Sequence, residues 1–136
     1  MIDTKKLSVK IQELAPHYGI EAAVLFGSQA RGEPHRESDI DIAVTGAHGR
    51  VDFSVLIDFT SRLGTELHTN AIEVVDMNAS SPIFRKQIAD DGIVLYQKSE
   101  TIFANFIMRA YALYFGSKPF LRLREQWLKE SLRVFT

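Results

Sequence analysis

Four short apolar runs punctuate this chain, at residues 22–26 (AAVLF), 38–44 (SDIDIAV), 71–77 (AIEVVDM) and 93–96 (IVLY). Each is short enough to read as a strand. Between them, apolar residues return at helical intervals. Leu7, Ile11, Leu14, Ala15 and Tyr18 mark a first helix, with Gly19 as its stop signal. Phe53, Leu56, Ile57, Leu63 and Leu67 mark a second. Ser80 or Ser81 can cap a third that opens on Pro82 and runs towards Asp91-Gly92. Strands that alternate with helices predict an α/β fold, a small mixed β-sheet flanked by helices. The connection at 27–37 is too short for a crossover helix, so one neighbouring strand pair is expected to be antiparallel. A turn is expected at 46–49.

The 136 residues fit a single domain. Hydrophobic content of 46% and charged content of 24% are ordinary for a globular protein. The net charge of −1 supplies no field that would draw the whole chain to nucleic acid or to a membrane surface. The absence of cysteine excludes disulfides, thiolate zinc sites and cysteine nucleophiles. No apolar run approaches the ~20 residues of a bilayer span, and the amphipathic N-terminus lacks the apolar segment of a signal peptide. A cytoplasmic location is the expectation.

The second run carries the chemistry. Asp39 and Asp41 share one face of a strand, whereas Ile40 and Ile42 take the other and can enter the core. Two residues along a strand are about 6.5 Å. Carboxylates at that spacing can lean onto one cation or bracket two, as in sites that clamp phosphoryl oxygens. Without a cation they raise one another's pKa. Carboxylate oxygens are hard ligands, which points to Mg²⁺. Taken alone, an Asp-x-Asp at the end of a strand is most often a solvated edge or a turn former.

Two further features bear on it. Gly27-Ser28 directly follows an apolar strand. Glycine lets backbone amides approach a ligand, and a helical turn opening at Ser28 would offer free N–H groups to a triphosphate tail, with Arg31 adding charge. In AIEVVDM, Glu73 stands between Ile72 and Val74 and must point away from them. It can complete a metal site or take a proton from an attacking hydroxyl. Asp76 competes for that role, but it sits at the strand end near Asn78, where turn formation explains it.

Together these residues resemble the polymerase-beta-type nucleotidyltransferase superfamily. Gly27-Ser28, ten intervening residues and Asp39-x-Asp41 look like its signature. The fuller stretch GSQARGEPHRESDIDIAV is similar to the minimal nucleotidyltransferases, or MNT proteins. The stretch IEVVDMNASSPIFRKQIADDGIVLY resembles the family's third catalytic strand, a helix and a closing strand, so the likeness covers the chain up to Tyr96. It implies a polymerase-beta-like fold and a catalytic set of Asp39, Asp41 and Glu73. Asp39 and Asp41 would ligate Mg²⁺, with Glu73 at the third carboxylate, where the family usually has aspartate. Gly27 and Ser28 would hold the β- and γ-phosphates of ATP, with Arg31 beside them. Many MNT proteins are antitoxins partnered with a HEPN-domain toxin, an RNase. The resemblance implies transfer of AMP to a tyrosine of that toxin.

Beyond the last strand, Phe103, Phe106, Ile107, Ala110, Tyr111 and Tyr114 form one helical stripe, expected to pack on the sheet. Past Pro119, Phe120, Leu123 and Trp127 form one line and Leu121, Leu128 and Leu132 another, so a final helix is expected to present a partner surface. The expected organisation is one domain, with a core over about 1–98 and helices over about 99–134. The residues after the last strand are too few for a second acceptor-holding domain, so the acceptor hydroxyl is expected to come from a partner protein or a second copy. Direct nucleic-acid binding is not expected. Two other readings stand beside the transferase: an antitoxin that inhibits by binding alone, and an enzyme that modifies a small molecule such as an aminoglycoside.

Overall fold

The computed structural model describes residues 3–33, 39–116 and 118–133, with the backbone alone at 118–121. Helix α1 (Thr4–Leu14) continues into a 3-10 turn at Ala15–Tyr18 and stops at Gly19. Strand β1 (Ile20–Phe26) ends on a single helical turn, α2 (Gly27–Ala30). Strand β2 (Ile40–Gly46) leads through the turn at 46–49 into α3 (Phe53–Leu67) and β3 (Ile72–Asp76). Then come α4 (Pro82–Asp91), β4 (Ile93–Gln97), α5 (Ile102–Phe115) and α6 (Lys118–Arg133). Ser81 caps α4 by accepting from the Phe84 amide.

The sheet runs β3-β2-β1-β4. β1 is antiparallel to both β2 and β4, whereas β2 and β3, joined through α3, are parallel. The short connection after β1 does return as an antiparallel neighbour, as its length dictates. Ser38, expected at the start of β2, lies outside the described residues.

Each sheet face buries its own core. On one, Ala23, Leu25, Ile42 and Val44 pack under Leu7 and Ile11 of α1 and Phe59 and Leu63 of α3. On the other, Val24, Phe26 and Ala43 meet Ile88 and Ala89 of α4 and Phe103, Phe106 and Ala110 of α5. Strand alternation assigns these sets, and the apolar stripe of α5 falls where its spacing predicts. Phe59 and Phe106 are each fully buried, worth up to about 3 kcal/mol apiece. Gly92 is required for space: a Cβ there would lie 2.4 Å from Phe103 and 2.7 Å from Val24. On α6, Leu123 and Trp127 stand about two-thirds exposed, at 64% and 65%. The side chains of Phe120 and Leu121 lie outside the description.

Candidate active site

The candidate site residues gather at one end of the sheet, where β1 finishes and β2 and β3 begin. Gly27 leaves β1 with φ +76°, in the left-handed region that glycine enters without strain. Its second reason for being glycine lies across the strand pair. Phe26 is opposite Asp41, and a Cβ at position 27 would sit 2.4 Å from Asp41 Oδ2. The Asp41 carboxylate therefore rests directly against the Gly27 backbone. The two halves of the motif, fourteen positions apart in sequence, touch.

Asp41 is half-buried, in register with Glu73 across the parallel pair. Asp39 and Glu73 are both exposed. Burial pushes the Asp41 carboxyl above its ordinary pKa, the nearby charges of Glu73 and Asp39 push it further, and Arg31 opposes them. Among the described residues Asp41 makes no ion pair, and no three acidic or histidine side chains converge closely enough to enclose a metal ion. Three like charges share this corner of the sheet, and Asp39 and Glu73 reach into water.

The donor chemistry fits a hard divalent cation. All three side chains are carboxylates, the ligands such ions prefer. The space a Cβ would fill at Gly27 is given over to an Asp41 oxygen.

The structure places Ser28 half-buried in the single turn of α2, whose last turn is closed by Arg31 and Glu33 amides bonding back to Gly27 and Ser28 carbonyls at 3.1 and 2.9 Å. Arg31 donates to Asp91 Oδ2 at 2.7 Å, with Glu33 at 3.6 Å. The Asp91 hydrogen bond raises the arginine's pKa. Arg31 thus pins α2 to the end of α4, and its charge acts on Asp41 from there. Asp91 was legible in the sequence only as part of a helix terminus, and the buried Gln29 carried no signal of its own. Asp76 lies at the opposite end of the sheet, paired in register with Val44. Its two oxygens accept the Asn78 and Val51 amides at 2.9 Å each, which is a structural role.

The chain matches the family model described as Polymerase beta, Nucleotidyltransferase over residues 9–101, and it belongs to that family. It is 31% identical over 87 residues to the protein adenylyltransferase MntA of Shewanella oneidensis. That match covers 62% of this chain and 61% of the relative, so it spans less than two-thirds of the relative's length. Among solved structures, a toxin–antitoxin complex with AMP-PNP contains a chain of the same fold, with a TM-score of 0.70 and 24% identity over 93% of this chain and 98% of that one. Another is the tri-AMPylated HEPN toxin of Shewanella oneidensis in complex with its MNT antitoxin, with a TM-score of 0.67 and 20% identity over 96% and 99%. No helix among the described residues is long and apolar enough to cross a membrane.

Proposed function

We propose that this chain is an antitoxin nucleotidyltransferase of the cytoplasm. It transfers AMP from ATP to a hydroxyl, a tyrosine's, on a HEPN-domain toxin, which neutralises the toxin. The observation that carries the reading is the contact of Asp41 Oδ2 with the Gly27 backbone, in register with Glu73. The turn that would hold a polyphosphate and the carboxylates that would hold its cation are thereby one structural unit. Similarity to a protein adenylyltransferase, and a fold shared with the antitoxin of a modified HEPN toxin, support the choice of donor and acceptor. The residues form one nucleotidyltransferase domain with a helical C-terminal extension, whose exposed α6 face supports contact with the partner.

In this reading Gly27 and Ser28 receive the β- and γ-phosphates through backbone amides and a hydroxyl. Asp39 and Asp41 supply oxygen ligands for Mg²⁺. When bound, the ion neutralises charge on the phosphoryl oxygens. The acceptor oxygen bonds to the α-phosphorus, the α–β phosphoanhydride bond breaks, and pyrophosphate leaves with the electron pair. Glu73, in register with Asp41 on the next strand, accepts the hydroxyl proton in this reading. Arg31, held by Asp91, keeps α2 in position and adds positive charge to the phosphate side.

Replacing both Asp39 and Asp41 with asparagine is expected to lower AMP incorporation into the toxin about a thousandfold, the equivalent of ~4 kcal/mol. Mass spectrometry of the toxin in ATP and Mg²⁺ reads it directly. Undiminished incorporation by the double variant would refute the assignment. Toxin neutralisation that survives the substitutions, with incorporation gone, would instead identify an inhibitor that acts by binding.

A further inference from the structure

The turn between β2 and α3 is tied down more firmly than a surface connection requires. Gly46 and Gly49 exchange backbone hydrogen bonds at 3.4 and 3.1 Å. The Thr45 hydroxyl donates to the Gly49 carbonyl at 2.8 Å. The Asn78 side-chain amide donates to that carbonyl and to Thr45 Oγ1, at 2.6 and 2.7 Å. Just beyond, Asp76 accepts the Val51 amide at 2.9 Å. The residues on either side of Gly49 are His48 and Arg50, and both side chains are exposed. A braced piece of backbone thus holds out two groups that carry or can take positive charge.

Helix α5 supplies the facing wall. Ile102, Asn105 and Arg109 recur at intervals of three and four, so they form one line beside the buried stripe of Phe103, Phe106 and Ala110. Turn and helix enclose a pocket of about 470 Å³. It lies at the opposite end of the sheet from the catalytic corner: Gly46 pairs with Ile20, whereas Asp41 pairs with Phe26. Five residues of β2 separate the two, roughly 17 Å. The charges of this pocket do not balance. The guanidinium groups of Arg50 and Arg109 enter no ion pair or hydrogen bond among the described residues. Glu21 is the one carboxylate in the lining, and Lys98 already pairs with it at 3.4 Å.

We infer that this pocket is a second anion site, one that takes a compact phosphate-bearing group such as pyrophosphate or the phosphate tail of a small molecule. Guanidinium forks match phosphate oxygens two at a time, and here two of them line one concavity. The His48 ring and the Asn105 amide add donors of the same reach. Enclosure argues for a small ligand over a nucleic-acid strand. A strand is tracked by an extended basic groove with aromatic side chains for its bases. These cations are confined to one pocket, and its lining holds no Phe, Tyr or Trp. The inference stands apart from the transferase reading, because it uses none of the residues assigned to that reaction.

Calorimetric titration of the full chain with pyrophosphate tests it, at fixed ionic strength and in chelator, so that no divalent cation draws the anion to the carboxylates. The parent should bind pyrophosphate saturably, and Arg50→Ala combined with Arg109→Ala should weaken that binding at least about tenfold. Arg31→Ala, which alters the catalytic corner, should leave it unchanged. Amide NMR shifts should move at His48, Gly49 and Asn105 and stay still at Gly27 and Ser28. All three arginines are exposed, so the variants should melt close to the parent. His48→Ala gives a milder loss in the same direction and serves if the double variant folds poorly. No saturable binding by the parent at millimolar pyrophosphate overturns the inference. So does binding that survives the double substitution, or that falls equally with Arg31→Ala, which seats the anion at α2. A single-stranded oligoribonucleotide that binds through Arg50 and Arg109 where pyrophosphate does not overturns it as well, and assigns the arginines to a nucleic-acid surface.

Discussion

Asp41 and Asp76 sit on neighbouring strands at opposite ends of the same sheet, and both are withdrawn from bulk water. Asp76 is satisfied by the protein: two backbone amides, at Val51 and Asn78, donate to its two oxygens and tie the turn after β2 to the turn after β3. Asp41 is met by no hydrogen-bond donor among the described residues. It lies near Glu73 and Asp39, carries a raised pKa, and is eased by the charge of Arg31. The same residue type serves folding where backbone donors meet it, and is proposed to serve chemistry where like charges surround it. A half-buried carboxylate near other carboxylates lowers stability.

The largest effect that would test this contrast is on the structural side. Asp76→Ala strands two amides that a charged acceptor now satisfies, so it should cost about 3 kcal/mol of stability, read by denaturant unfolding. Activity per folded molecule should hardly change. A parental unfolding midpoint would erase the distinction between the two aspartates.

Gly27→Ala sharpens the other side. Forcing a Cβ into φ +76° costs about 1–2 kcal/mol, and the new methyl group displaces the Asp41 carboxylate from the Gly27 backbone. Incorporation of AMP should fall roughly tenfold or more beyond what the loss of folded protein explains. Equal losses of activity and folded fraction would reduce the contact to a packing detail.

The smallest effect is the most diagnostic. Because the folded-state pKa of Asp41 is raised, its neutral form is the one the fold prefers. Its favourable share of stability is complete below the ordinary carboxylate range and disappears as pH climbs through the raised value. Asp41→Asn should therefore raise the melting temperature by a few degrees at neutral pH in chelator, and make no difference in acid. Added Mg²⁺ should stabilise the parent and not the variant. A lower melting temperature for the variant at neutral pH would contradict the electrostatic account.

Much of this organisation was legible in the sequence. Boundaries fell where local chemistry is strong: α3 begins at Phe53 and ends at Leu67, and Ser81-Pro82 opens α4. The carboxylate pair could be placed because alternation along a strand is a local rule. The pairing of Arg31 with Asp91, sixty positions away, was not visible, because an ion pair between two helix ends leaves no periodic trace. Arg31 read as a phosphate ligand, and the structure adds a structural partner for it. The β3-β2-β1-β4 order was equally hidden, since local patterning does not say that β4 returns beside β1.

The helix after the last strand has a consequence for anyone who would cut, fuse or transplant this chain. The family match ends at residue 101, but Phe103, Phe106 and Ala110 lie beyond that border and Leu7 lies before the other, all four inside the two cores. A fragment trimmed to the borders of the family match would keep Asp39, Asp41 and Glu73 and lose the cover over one layer of its interior. The matched segment and the smallest self-supporting body are here different lengths of chain.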